Sequence, residues 1–348
     1  MTIKEIFKKA NEMKASDVHL NVGVAPVLRV NGELTYLEDK ALNNKDLEQM
    51  VAMLLTKEDV AKFNTDRDLD FGYELDGQRF RVNLFYEKNN IGLVARLISN
   101  NIPTLEELGL PEVVYKLLDL KQGLILVTGP TGCGKSTLMA AMVNYINSNR
   151  FCNIITLEDP IEYVFTSNKS IIVQRQLGRD LRTFDAGLVH ALRQDPNVIM
   201  VGEMRNLETI GTTITLAETG HLVLATLHTY NAAQTIDRII DIFPPHQQNQ
   251  IRMQLSLTLA GVISQRLLRQ NDGTRVAARE IMINTPAVSN TIRENKVAQL
   301  KTIIETGSRE GMVSIDQDIR RLYNENRISK ETARSYMDNP DMLEKNKK

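Results

Sequence analysis

Residues 123–137 read GLILVTGPTGCGKST, and this stretch decides the fold. An apolar strand, GLILVTG, runs into G-x-x-x-x-G-K-S at 129–136, and a helix starts near Lys135. That order is a phosphate-binding loop: glycines let backbone N–H groups turn inward around a β-phosphate, and the positive end of the helix faces the same place. Gly129, Pro130, Thr131, Gly132, Cys133, Gly134, Lys135, Ser136 and Thr137 are therefore the candidate nucleotide-binding residues. Lys135 can reach the β- and γ-phosphates of ATP, and the Ser136 hydroxyl can ligate Mg2+. Cys133 occupies a variable loop position. It reads as a small filler, with a thiol of lowered pKa at a helix N-terminus as the alternative.

Four more apolar strands come after the loop: NIITLED, IIVQRQ, NVIMVGE and HLVLATLHT. Near-continuous apolar strands separated by helices indicate an α/β fold with a parallel sheet covered on both faces. In such a sheet the ligand lies beyond the carboxyl ends of the strands. Glu158, Asp159 and Glu162 of LEDPIEY emerge at one such end, and Glu203 leaves the next core strand in the same way. Beside a phosphate loop these acids are candidates for the magnesium and its attacking water. NVIMV ends in Gly202 where many nucleotide hydrolases carry a magnesium-binding Asp. The metal is then expected on Ser136, the phosphates and waters, with Glu203 and Glu158 nearby. His228 ends HLVLATLHT where a γ-phosphate sensor would sit, and a neutral imidazole could act through a water or through Glu203. His221 is also a candidate, although it lies at the opposite end of that strand.

Before residue 99 the pattern differs. Ile3, Ile6, Phe7, Ala10 and Met13 recur at helical spacing, and residues 45–63 read as one or two helices. DVHL, APVLRV, ELTY, DFGYEL, RFRVNLFY and IGLVARLI read as strands, with turns at Asn31-Gly32, Asp76-Gly77 and Asn89-Asn90. In RFRVNLFY, Phe80, Val82, Leu84 and Tyr86 share one face, and Arg79, Arg81 and Asn83 the other. This is a small α+β domain, and NNIPTLEELGLP joins it to the domain of apolar strands. Beyond Pro244-Pro245 the chain reads as mostly helical, broken by RVAAREIMIN and ending in the charged LEKNKK.

The 348 residues suffice for two domains. A formal net charge of −1 argues against a purely electrostatic nucleic-acid binder, and no apolar run of transmembrane length is present. The opening MTIKEIFKKANEMK lacks the apolar centre of a signal peptide, and two cysteines make no disulfide framework. A reducing, cytosolic setting fits.

ASDVHL, GPTGCGKST, LEDPIEY, VGEMRNLETI, AETGHLVLATLHT and TIDRIIDIFP resemble the secretion-type ATPases. TPAVSNTIRENKVAQL and GMVSIDQDIRRLY resemble in particular the branch that retracts type IV pili. The resemblance spans nearly the whole chain. It implies a homo-hexamer with a PAS-like α+β domain (1–98), a linker (99–111) and a RecA-like ATPase domain with a helical C-terminal part (112–348). It further implies an ATP hydrolase that powers pilus retraction and twitching motility. Such an enzyme works in the cytoplasm, at the inner face of the cytoplasmic membrane, against a platform protein embedded there.

In this family Glu203 aligns with the catalytic glutamate, LEDPIE is the Asp box, and HLVLATLHT with His221 and His228 is the His box. Arg81 and Arg96 match arginines placed against the nucleotide. The chain departs from many relatives at Cys133, where they have Ser, and at Thr229-Tyr230-Asn231, where they have Thr-Asn-Ser. Pilus-assembly and type II secretion ATPases commonly add an N-terminal domain and a four-cysteine zinc site, and neither is found here. A RecA-type nucleic-acid motor is disfavoured by the charge, and a non-hydrolysing switch by the intact Lys135, Ser136 and Glu203.

Overall fold

The computed structural model describes residues 1–343 except Asn31, Asp39, Ser99 and Asn100. Half of the expected Asn31-Gly32 turn, the start of the 99–111 segment and most of LEKNKK thus lie outside the described residues. The chain divides into two compact units: Met1–Asn101 with Pro160–Val164, and Ile102–Asp159 with the chain from Phe165 onward.

The first unit is an antiparallel sheet with helices. Its strands are β1 (Asp17–Asn21), β2 (Val27–Val30), β3 (Glu33–Tyr36), β4 (Asp68–Leu75), β5 (Gln78–Glu87) and β6 (Asn90–Ile98), in the order β3-β2-β1-β6-β5-β4. Helix Ile3–Glu12 starts at a capping box between Thr2 and Glu5 and buries Ile3, Ile6, Phe7 and Ala10. Two helices, Asn44–Ala52 and Lys57–Asp66, fill the span read as one or two. Phe80, Val82 and Leu84 of β5 are buried as their alternation requires. Asp76 and Gly77 take positive φ (50° and 77°) between paired Leu75 and Gln78, a tight two-residue hairpin. The next hairpin turns one residue earlier than expected. Lys88 and Asn89 carry the positive φ, and Asn90 already pairs with Glu87.

The second unit holds β7 (Gly123–Thr128), β8 (Asn153–Glu158), β9 (Ile171–Gln176), β10 (Val198–Val201), β11 (Leu222–Leu227), β12 (Leu259–Arg269) and β13 (Arg275–Ile283). Their order is β13-β12-β7-β11-β10-β8-β9, parallel from β9 through β12, with β13 antiparallel at one edge. Alternation along the parallel strands splits their side chains between two cores. Leu124, Leu126, Ile155, Leu157, Ile199, Val201, Val223 and Ala225 enter one. Ile125, Val127, Ile154, Val198, Met200, Leu222 and Leu224 enter the other. Both faces are covered, which is why these strands read as unbroken apolar runs.

β12 corrects the expectation that the chain is helical from Pro244-Pro245 to RVAAREIMIN. Helix Pro245–Thr258 ends, and β12 begins at the next residue, Leu259. No Gly-Pro-Asn cluster separates them, so LSLTLAGVISQRLL carries no local mark of the change. β13 pairs antiparallel with β12, so the sheet is mixed rather than purely parallel.

Leu224 lies fully buried in the central β11. Leu224→Ala is expected to destabilise the fold by about 2–5 kcal/mol, and the volume-conserving Leu224→Met by under about 1.5 kcal/mol. Urea unfolding of the two variants beside the parent checks the ranking, and equal midpoints would contradict it.

Candidate active site

The parallel register brings four strand ends together. Thr128 of β7 lies beside Leu227 of β11, Val201 of β10 beside Ala225, and Leu157 of β8 beside Val201. The chain leaves these ends as the glycine-rich loop, His228, Gly202-Glu203 and Glu158-Asp159, respectively.

The loop conformation depends on three glycines, with φ of 143° at Gly129, 78° at Gly132 and 89° at Gly134. A Cβ on Gly129 would stand 2.3 Å from the Gln265 carbonyl oxygen and 2.6 Å from Cys133 Sγ. Helix Lys135–Asn149 begins at Gly134 with no side-chain cap, which leaves its first-turn N–H groups for an anion.

Lys135 is buried, and its ammonium is folded onto its own loop. Nζ donates to the carbonyls of Gly129 (2.8 Å) and Pro130 (3.0 Å) and lies 3.3 Å from His228 Nδ1. An ammonium only donates, so Nδ1 accepts, and the proton of a neutral His228 is on Nε2. Nε2 lies 3.2 Å from Glu203 Oε1. The second oxygen, Oε2, accepts from Arg205 Nε at 2.8 Å, and Arg205 Nη1 lies 3.5 Å from Asp159 Oδ2. Lys135, His228, Glu203, Arg205 and Asp159 thus form one polar chain.

Gly202 has a steric reason. A Cβ there would meet the Leu157 carbonyl at 3.1 Å and Glu158 Cα at 3.4 Å. Gly202 N–H donates to Leu157 O (2.8 Å), its own carbonyl accepts from the Thr226 hydroxyl, and Met204 N–H donates to Thr226 O (3.1 Å). Bonds to both flanking strands therefore hold the backbone around Glu203. A side chain at 202 would crowd these strand ends, which would have to give by a few tenths of an ångström, and the acid comes one residue later.

The other candidates fall elsewhere. Glu158 is buried, and its Oε1 accepts from Thr156 Oγ1 (2.6 Å) and Gln174 Nε2 (3.1 Å), toward the β9 side of the sheet. Glu162 belongs to the Pro160–Val164 segment grouped with the first unit. His221 immediately precedes β11, with Nδ1 3.0 Å from Leu216 O and 3.3 Å from Thr219 Oγ1. The structure thus places it at the opposite end of β11 from His228, where it ties the strand to the preceding helix. In the first unit, Arg81 pairs across strands with Arg96, and Arg96 Nε lies 2.9 Å from Asp17 Oδ1. Cys133 is buried, and burial pushes its thiol above the ordinary range although Lys135 pulls it down. This favours the filler reading over a low-pKa thiol.

Ser136 is exposed at the first turn of its helix. Among the described residues no group of three or more His, Cys, Asp or Glu could cage a metal. One hydroxyl beside a phosphate loop fits magnesium, which keeps waters and binds through few protein ligands plus substrate phosphates.

A family model, "Type II/IV secretion system protein", matches residues 1–348. The chain belongs to this family. Among its similar members, "Type IV pilus retractation ATPase PilT" of Pseudomonas aeruginosa is 44% identical over 335 residues, covering 96% of this chain and 97% of the relative. "Twitching motility protein" of Neisseria gonorrhoeae is 43% identical over 320 residues, 91% of this chain and 86% of the relative. A crystal structure of the pilus retraction motor PilT with bound ADP superposes with a TM-score of 0.93, at 44% identity and 99% coverage of each chain. The α/β ATPase domain and the N-terminal sheet domain expected from the sequence are those of this secretion-system family.

Three residues of this secretion-system ATPase were not singled out in its sequence. Arg205 holds Glu203. Glu280 of β13 is buried, and burial raises its pKa; its Oε1 accepts from Ala232 N–H (2.7 Å) at the start of the helix after His228. Gln265 of β12 donates from Nε2 to the Cys133 carbonyl at 2.6 Å. Arg205 lies two residues from Glu203 in sequence, a signal within reach. Glu280 and Gln265 act across strands, and their spacing carries none.

Gly129→Ala would put a methyl against the Gln265 carbonyl in a left-handed backbone. Strain of about 1–3 kcal/mol translates to roughly 5- to 150-fold weaker nucleotide binding. Titration with a fluorescent ADP analogue measures it, and unchanged affinity would refute the steric account of the loop.

Proposed function

We propose that this chain is the ATP-hydrolysing motor subunit that powers type IV pilus retraction. The observation that carries the reading is 44% identity to a type IV pilus retraction ATPase over 96% of the chain. The Lys135–His228–Glu203 chain at a phosphate loop gives it a chemical centre. The motor is a homo-hexamer in the cytoplasm, seated at the inner face of the cytoplasmic membrane against a platform protein there. Among the described residues no helix is long and apolar enough to cross a membrane. Residues 99–111 serve as the joint between an N-terminal domain (1–98) and the ATPase domain (112–348).

ATP is the substrate. Residues 129–137 receive its phosphates, and Lys135 exchanges the Gly129 and Pro130 carbonyls for phosphate oxygens. Ser136 would hold magnesium, which supplies charge neutralisation on the phosphate oxygens. Glu203 accepts the proton of the attacking water. The new P–O bond forms as the bond to the leaving ADP oxygen breaks, and ADP and phosphate depart. His228 places Nε2 3.2 Å from Glu203 Oε1 and faces Lys135 with Nδ1, so one imidazole lies between the base and the lysine that meets the phosphates. Arg205 holds the other Glu203 oxygen. Asp159, 3.5 Å from Arg205, extends the same polar chain on its far side.

Glu203→Gln keeps the size and loses the base. It is expected to bind ATP like the parent and to cleave it about 10²–10⁴-fold more slowly in single turnover. Cleavage near the parent rate would refute the assignment of Glu203. Deletion of the gene in its own organism is expected to leave more surface pili and abolish twitching. Loss of pili would point to an assembly ATPase instead.

A further inference from the structure

β12 pairs in parallel with β7, Ser264 beside Thr128, so the next residue, Gln265, runs alongside the phosphate loop. Gln265 is buried, at 3% exposure. Its carboxamide has two neighbours of opposite demand. The Cys133 carbonyl only accepts, and takes Nε2–H at 2.6 Å. The guanidinium of Arg279, its antiparallel cross-strand partner, only donates, and gives Nε–H to Oε1 at 2.8 Å. A single orientation of the amide satisfies both. Arg279 is itself buried, at 5% exposure, and burial lowers its pKa to about 10. Its backbone N–H donates to Asp318 Oδ2 at 2.8 Å, while Asp318 Oδ1 accepts from Arg321 Nε at 2.9 Å on the same helix, Ile315–Asn324.

In a trans peptide the carbonyl and the following N–H point in opposite directions. With the Cys133 carbonyl held toward β12, Gly134 N–H faces away from it. Gly134 can flip at little steric cost, since it carries no Cβ and sits at φ 89°. A loop of this composition does not select the N–H-inward form by itself. Both the backbone and the side chain of Gln265 approach the loop so closely that only glycine fits: a Cβ on Gly129 would meet its carbonyl, and one on Gly134 would stand 2.9 Å from its Nε2.

We infer that Gln265 is a positioning residue of the phosphate loop, locking the Cys133–Gly134 peptide so that Gly134 N–H faces the bound phosphate, with Arg279 fixing the amide's orientation. The inference rests on the reading that this loop binds ATP. Gln is the side chain of this reach with one donor and one acceptor. Glu keeps the acceptor for Arg279 and loses the donor, Met fills the space with neither, and Asn is one methylene short.

The test uses the full chain and four proteins: parent, Gln265→Glu, Gln265→Met and Lys135→Ala. A fluorescent ADP analogue reports affinity, steady-state hydrolysis reports KM and kcat for ATP, and thermal melting reports folding. Both Gln265 variants are expected to bind ADP about tenfold more weakly and to raise KM similarly, with kcat within about threefold, the pattern of lost uniform binding. A purely structural role would lower the melting temperature and leave the ADP affinity of the folded protein unchanged. A purely electrostatic one would affect Gln265→Glu and spare Gln265→Met. Either result overturns the inference. Should Gln265→Met not fold, Gln265→Glu, which retains a partner for Arg279, is read alone by its split between KM and melting temperature. Lys135→Ala separates the two levels. If it binds ADP as the parent does, the nucleotide reading itself is wrong. If it loses ADP while the Gln265 variants keep it, only the lock is wrong.

Discussion

Thr128, Leu227, Val201 and Leu157 lie at or near the ends of four parallel strands side by side, and the groups of the polar chain enter from just past them. Parallel pairing makes this possible, because all carboxyl ends then lie along one edge. It also demands that both sheet faces be covered, which the split of side chains between two cores accomplishes. The steric pressure at Gly202 follows from the same alignment. β10 and β8 are so close at their ends that a side chain at 202 would need them to give by a few tenths of an ångström, and the first side chain past β10 is Glu203.

The polar chain from Lys135 to Asp159 alternates in character: a cation, a neutral imidazole, an anion, a cation, an anion. Two of its members are partly solvated, Arg205 at 62% and His228 at 44% exposure. Pairs so exposed contribute at most about 1 kcal/mol each to stability. Their effect is directional instead. Donor-only Lys135 faces His228 Nδ1, which turns Nε2 toward Glu203, 3.2 Å from its Oε1.

The buried network beneath the loop works differently. Gln265 and Arg279 are almost fully out of solvent, so an unmatched donor or acceptor there would cost about 1–3 kcal/mol. Every neighbour of the Gln265 amide is matched in one orientation only. A network with a single satisfied arrangement holds the loop more firmly than exposed ion pairs can. It also ties the loop to helix Ile315–Asn324, far along the chain.

Local chemistry made much of this protein legible in its sequence. The glycines, Lys135 and Ser136 announce a phosphate loop because each is needed for a backbone or ligand reason at that spacing. The apolar strands announce a two-sided sheet because both faces are buried. The Asp76-Gly77 turn reads directly from its φ requirement. Glu203 and His228 could be placed at strand ends, with action through Glu203 as one of two routes for His228; the choice between them depends on how β10 and β11 lie side by side. β12 was hidden because helix Pro245–Thr258 passes into it with no breaker, and an apolar run alone does not distinguish helix from strand. Gln265 was hidden with it, and the roles of Gln265 and of Arg279 and Glu280 in β13 could not be read, as their partners stand up to 132 positions away. The sequence alone therefore determined which chemistry this chain carries, because propensity and motif act over a few residues. Only the tertiary structure decided which groups meet and in which protonation and orientation, because hydrogen bonds are set by distances that sheet register, not chain spacing, imposes.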